Sequence, residues 1–109
     1  MKILTRRESG RLTLYLTGDL DHHAARGALK SLDELIASEL PRTCCLNLAE
    51  LRFMDSSGIA LILKLRKLMS GMGGELQIEN VPTQARRVLE AAGLDKIVGI
   101  SLDAKEKLG

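Results

Sequence analysis

Two short stretches hold most of the residues of this chain that could do chemistry. One is Asp55-Ser56-Ser57-Gly58 and the other is Asp19-Leu20-Asp21-His22-His23. An apolar strand pattern ends just before the serines and a long apolar helix pattern begins at them, so two hydroxyls are set at a helix N-terminus. The first turn of a helix has backbone N–H groups without an internal partner and carries a partial positive charge. A side-chain oxygen or a phosphate is well received there. On residue types alone the simpler role is structural, with one of Ser56 and Ser57 capping the helix and the other solvated. The alternative is phosphorylation. A phosphoserine adds a charge of about −1.5 to −2 at a helix end that tolerates it, and beside Asp55 it makes that edge less welcoming to an acidic partner.

Other chemistries compete for the same residues. Asp19, Asp21 and Asp55 could share one edge of a sheet and bind Mg²⁺, giving phosphoryl transfer at Asp55. No Walker-type glycine loop and no Lys at the end of the last strand accompany them, which favours solvated loop acids. His22 and His23 are adjacent on a helix and point in different directions, so they do not form a two-ligand metal site and read as surface or interface residues. A serine hydrolase would need a base and an oxyanion site near Ser56, and no nucleophile-elbow pattern is present. The expectation is therefore a protein without catalytic residues, metal or cofactor.

These residues must be positioned by the elements around them. Lys2 to Arg6 and Arg11 to Thr17 read as two strands of a hairpin turned at Ser9-Gly10, and Leu12, Leu14 and Leu16 alternate with Thr13, Tyr15 and Thr17. Gly18-Asp19-Leu20-Asp21 ends the second strand, and Asp21 is the expected N-cap of a helix running to about Glu39. Ala25, Leu29, Leu32, Ile36 and Leu40 give that helix its apolar stripe, widened by Ala28 and Leu35. Pro41 stops it, and Cys44 to Leu48 reads as a buried central strand. Ile59 to Met69 is the next helix, closed by Gly71-Met72-Gly73-Gly74. Glu75 to Glu79 alternates as a strand. Pro82 opens a helix carrying Ala85, Val88, Leu89 and Ala92, and Gly93 closes it. Lys96 to Ile100 is a weak last strand, with at most a short helix over Asp103 to Leu108.

Strands alternating with helices imply an α/β sheet with right-handed crossovers. The polar strand faces place most helices on one side of it. Three loops then share the ligand-binding edge of the sheet: Gly18 to His23, Glu50 to Gly58, and Asn80 to Thr83. The apolar arc of the Ile59 to Met69 helix is wider than one sheet face needs, and Met54, Ile59 and Met72 are the residues expected to be exposed there.

Composition excludes several partners. The chain has 109 residues with 16 Lys and Arg against 14 Asp and Glu, a net charge of +2, and no basic stripe. With one Phe, one Tyr and no Trp there is no stacking surface, so nucleic acid is not an expected partner. Cys44 and Cys45 are neighbours in a strand and face opposite sides, which suits core packing rather than a bridge or a metal pair. No stretch reaches the roughly 20 apolar residues of a membrane span, and the N-terminus lacks the apolar run of a signal peptide, so a cytoplasmic protein of one domain over residues 1–109 is expected.

The stretch Leu16-Thr17-Gly18-Asp19-Leu20-Asp21, followed by Leu46-Asn47-Leu48 and Phe53-Met54-Asp55-Ser56-Ser57-Gly58, resembles the bacterial anti-sigma factor antagonist family, whose domain is called STAS. The resemblance covers nearly the whole chain. It implies a mixed, mostly parallel sheet of four to five strands with helices mainly on one face. It also implies a non-enzymatic switch in transcription regulation. The unphosphorylated protein binds a partner that is both serine kinase and anti-sigma factor and so frees a sigma factor, the phosphorylated protein lets go, and a serine phosphatase restores it. The family's phosphoserine follows the Asp and maps to Ser56. The expected contact residues are Asp19, Asp21, His22, His23, Met54, Asp55, Ser56, Ser57, Gly58 and Ile59. Related modules without sigma-factor roles serve as constitutive scaffolds in sensory complexes or transporter assemblies.

Overall fold

The computed structural model describes residues 1–96 and the backbone of residues 100–102. Strands β1 (Lys2–Glu8) and β2 (Arg11–Leu20) form an antiparallel hairpin, turned where Gly10 takes a left-handed φ of +80°. Helix α1 (His22–Glu39) then leads to β3 (Thr43–Asn47) and β4 (Leu51–Met54). Helix α2 (Ser56–Gly71), β5 (Glu75–Glu79), α3 (Thr83–Ala91), a 3-10 turn at Leu94–Lys96 and β6 (Ile100–Leu102) complete the order. The sheet runs β1-β2-β3-β5-β6, with only the first pair antiparallel.

The alternation seen in the sequence decides which face is covered. Leu12, Leu14, Leu16, Cys44, Leu46, Leu76 and Ile78 are buried in one cluster with Ala25, Leu32 and Ile36 of α1, Ile62, Leu65 and Met69 of α2, and Ala85 and Leu89 of α3. Each such Leu or Ile stabilises the fold by about 1.5–3 kcal/mol relative to exposure. The helices therefore lie on one face. The opposite face carries polar pairs: Arg11 donates to Gln77 Oε1 at 3.1 Å and lies 3.6 Å from the Glu79 carboxylate. Thr13, on that face, is only 6% exposed, so the surface is less wet than expected.

β2 is the strand that reaches the site. Its first half, Arg11 to Tyr15, pairs with β3, and its last residues, Gly18 to Leu20, pair in parallel with β4. The register shifts between Gly18 and Asp19, where Gly18 has φ +103°. An L side chain is strained there, and glycine lets the strand bend and continue instead of ending at Thr17.

Several expectations are corrected. β4 lies in a segment expected to be loop, and α2 starts at Ser56 rather than Ile59. Leu40, assigned to the core, is 67% exposed because it adopts the left-handed cap conformation before Pro41. Part of the Lys96 to Ile100 segment is a 3-10 turn, the last strand is Ile100–Leu102, and the helix expected over Asp103 to Leu108 lies outside the described residues.

Candidate functional site

The N-terminus of α2 is capped by Asp55, not by either serine. Its backbone is extended, and its side-chain oxygen accepts from Ser57 N at 2.8 Å. Ser56 is the first helical residue and is exposed, and its hydroxyl makes no hydrogen bond to another described residue. Because Asp55 supplies the cap, the Ser56 hydroxyl can be altered without loss of helix termination.

Gly58 fixes how this helix end docks. It is buried, and a Cβ built on it would lie 2.6 Å from Met54 Cγ, 3.0 Å from Met54 Sδ and 3.1 Å from Leu20 Cδ2. Only a glycine allows α2 to approach the ends of β2 and β4 so closely. Met54, expected to be exposed for a partner, is instead fully buried in this contact. Its neighbour Phe53 is the exposed apolar residue, at 42%. Ile59 is half-buried. Met72 is exposed, as expected, but it follows the last residue of α2 and so lies at the opposite end from Ser56.

The three expected loops do meet. Asp55 N donates to Leu20 O at 3.3 Å, and the Arg52 guanidinium lies 3.3 Å from Asp19, joining the first loop to the second. Gln84, at the start of α3, joins the third: it accepts from Met54 N at 2.9 Å and donates to Met54 O at 2.8 Å. Gln84 and Phe53 were not among the expected contact residues. Phe53 stood at the head of the motif as the chain's one Phe, whereas a side chain reaching back to backbone leaves no sequence signal.

The acids of this edge do not converge on one point. Asp19 pairs with Arg52, Asp21 caps α1 by accepting from Ala24 N at 2.9 Å, and Asp55 caps α2. Among the described residues no cluster of His, Cys, Asp or Glu could hold a metal ion. His22 and His23 are both exposed and line different grooves. His23 faces the cleft between β1 and α1. His22 lines a groove of about 200 Å³ between α1 and α2, together with the polar Arg26, Ser57 and Lys64 and the apolar Ala25, Leu29, Ala60 and Leu61.

The adjacent cysteines are free and buried. Burial pushes the Cys44 thiol up to about 12, and burial with the neighbouring Glu79 carboxylate does the same for Cys45. Neither forms a thiolate readily, so neither is a nucleophile.

The family model described as STAS domain matches residues 2–107. The chain belongs to the STAS domain family. Among its STAS relatives, the anti-sigma F factor antagonist of Paenibacillus polymyxa is 36% identical over 100 residues, covering 92% of this chain and 86% of that protein. The STAS fold is also that of the anti-sigma factor antagonist SpoIIAA. Its unphosphorylated form has a TM-score of 0.81 at 24% identity, covering 98% of this chain and 92% of that one. The phosphorylated form of the Bacillus cell fate determinant SpoIIAA has a TM-score of 0.72 at 24% identity, covering 98% and 96%. Among the described residues no helix is long and apolar enough to cross a membrane.

Proposed function

We propose that this STAS domain, acting as one unit over residues 1–109, is an anti-sigma factor antagonist switched by phosphorylation of Ser56. Unphosphorylated, it binds an anti-sigma factor that is also a serine kinase and so frees a sigma factor. Phosphorylated, it is released, and a serine phosphatase resets it. It acts as a binding protein in the bacterial cytoplasm, without cofactor or metal. The observation that carries this reading is the exposed Ser56 hydroxyl at the first position of α2, relieved of capping by Asp55. The relative at 36% identity, named an anti-sigma F factor antagonist, supports the same reading.

The mechanism follows from charge and fit. A phosphate at Ser56 sits on the positive end of α2, which stabilises it by about 0.3–1 kcal/mol, so the fold tolerates the modification. An interface closed over the same edge does not. A dianion beside Asp55 is left either opposed or buried without a partner, and such a group typically costs about 2–5 kcal/mol of binding, or roughly 30- to several-thousand-fold in affinity. Phe53, Leu63 and half-buried Ile59 supply apolar surface for the partner, and Asp19, Asp21, His22, His23 and Ser57 contribute polar contacts, whereas Gly58, expected among the contact residues, is buried beneath the helix end and acts by docking it.

The reading is tested by incubating the chain with the anti-sigma F factor of Paenibacillus polymyxa and Mg-ATP. Phosphate should appear on Ser56 in acid-stable form and be absent from Ser56→Ala. Phosphate on an acid-labile aspartate, or none on either protein, contradicts the switch.

A further inference from the structure

β4 ends at the residue before the cap of the proposed phosphoacceptor helix, and among the described residues no strand lies beside its outer edge. Among the described residues it pairs only with β2. In a parallel ladder the backbone groups of successive residues point alternately to the two sides. Asp55 N–H points inward, to Leu20 O. Met54 N–H and C=O therefore point outward, where water or a side chain must satisfy them.

The Gln84 carboxamide meets both. Its oxygen accepts from Met54 N at 2.9 Å and its nitrogen donates to Met54 O at 2.8 Å, so one primary amide, whose C=O and syn N–H point the same way, supplies the acceptor and the donor that a neighbouring strand would offer. Only the side chain of Gln or Asn offers a donor and an acceptor in that fork, and Asn is one methylene shorter. Gln84 lies in the first turn of α3, whose Ala85 and Leu89 are buried, so the clamp is anchored to the core. On its other side Met54 fills the space left by Gly58.

We infer that Gln84 is the positioning residue of the switch. It fixes the Met54-Asp55 backbone, and through the Asp55 cap it sets the direction in which Ser56 is presented. The inference rests on Ser56 being the phosphoacceptor. Loss of the clamp leaves the docking surface in place but lets the acceptor hydroxyl wander, so it should act on the chemical step more than on binding.

Gln84→Met keeps the side-chain length and removes both hydrogen bonds, whereas Gln84→Glu keeps an acceptor for Met54 N–H. Amide hydrogen exchange resolved by residue is the first measurement. In Gln84→Met the Met54 and Asp55 amides should exchange about tenfold faster while core amides of β3 and β5 are unchanged, and Gln84→Glu should retain the Met54 protection. The second measurement is Ser56 phosphorylation by the anti-sigma F factor of Paenibacillus polymyxa. For Gln84→Met, kcat should fall about fivefold with KM held within about twofold. Unchanged exchange at Met54, faster exchange throughout the chain, or an unchanged kcat overturns the inference. If the wild-type chain is itself not phosphorylated, it is the proposed function that fails, and the exchange profile still decides whether Gln84 holds this backbone.

Discussion

Adding one methyl group at Gly58 should destabilise the protein, whereas the same change at Gly27 should stabilise it. Both glycines lie within helices and neither has a positive φ, so alanine's better helix propensity favours each substitution by up to about 1 kcal/mol. Packing separates them. At Gly27 no atom beyond its chain neighbours and its own helix backbone lies within 4 Å of the new Cβ, and the propensity gain is realised. At Gly58 the new Cβ would be 2.6 Å from Met54 Cγ. Met54 is fully buried and its backbone is held on both polar groups by Gln84, so the side chain has little room to retreat. Overpacking of this kind costs about 1–3 kcal/mol, which exceeds a propensity gain that is in any case reduced in the first turn of a helix. The expected net loss is about 1–2 kcal/mol, or a fall in Tm of about 4–8 °C per kcal/mol for a domain near this size. Urea unfolding of both variants beside wild type checks it, with midpoints moving in opposite directions. A Gly58→Ala protein as stable as wild type would refute the close approach of α2 to β4.

Asp55→Ala removes the α2 cap and should cost about 0.5–2 kcal/mol, while Asp55→Asn keeps a capping oxygen and should be nearly neutral by the same denaturation assay. Arg52→Ala breaks an ion pair whose partners are largely exposed and should change stability by less than about 1 kcal/mol, with the difference shrinking in high salt. Cys44 and Cys45 should resist iodoacetamide in the folded protein at pH 8 and be alkylated together on unfolding, as followed by mass spectrometry. Their folded pKa values, pushed to about 12 from an ordinary 9.0, have a further consequence. The unfolded chain releases thiol protons from about pH 9 upward while the folded chain retains them, so stability falls as pH rises through that range, and alkaline urea titrations should show it.

Much of this site was legible because it rests on local patterns. The hairpin turn at Gly10, the Asp21 cap and the alternation of Leu12, Leu14 and Leu16 each follow from a residue's own conformational or hydrophobic preference. The cap of α2 was harder to read. Asp55, Ser56 and Ser57 are all good N-caps, so propensity cannot rank them, and the choice is made by packing: Gly58 must fall on the buried side, against Met54. β4 escaped notice because Leu51-Arg52-Phe53-Met54 is four residues long and does not alternate, with its two ends buried and its middle exposed. The strand exists because Gly18 lets β2 bend and continue beyond β3. That tertiary event also buries Met54 and exposes Phe53, reversing what a loop reading suggested for Met54. Gln84 follows from the same cause, since its partner is a backbone edge that the strand creates.

The arrangement gives the proposed switch a division of labour. Asp55 terminates the helix, Gly58 docks it, Gln84 holds the strand before it, and the Ser56 hydroxyl makes no hydrogen bond to any of the described residues. The most direct measurement of that claim is calorimetric titration of the anti-sigma F factor of Paenibacillus polymyxa with unmodified chain, with Ser56→Ala, and with chain phosphorylated stoichiometrically on Ser56. The account predicts equal affinity for the first two and a loss of at least about 30-fold for the third, with the phosphorylated protein still folded. Equal affinity for all three would contradict it and leave a constitutive scaffold of the same fold.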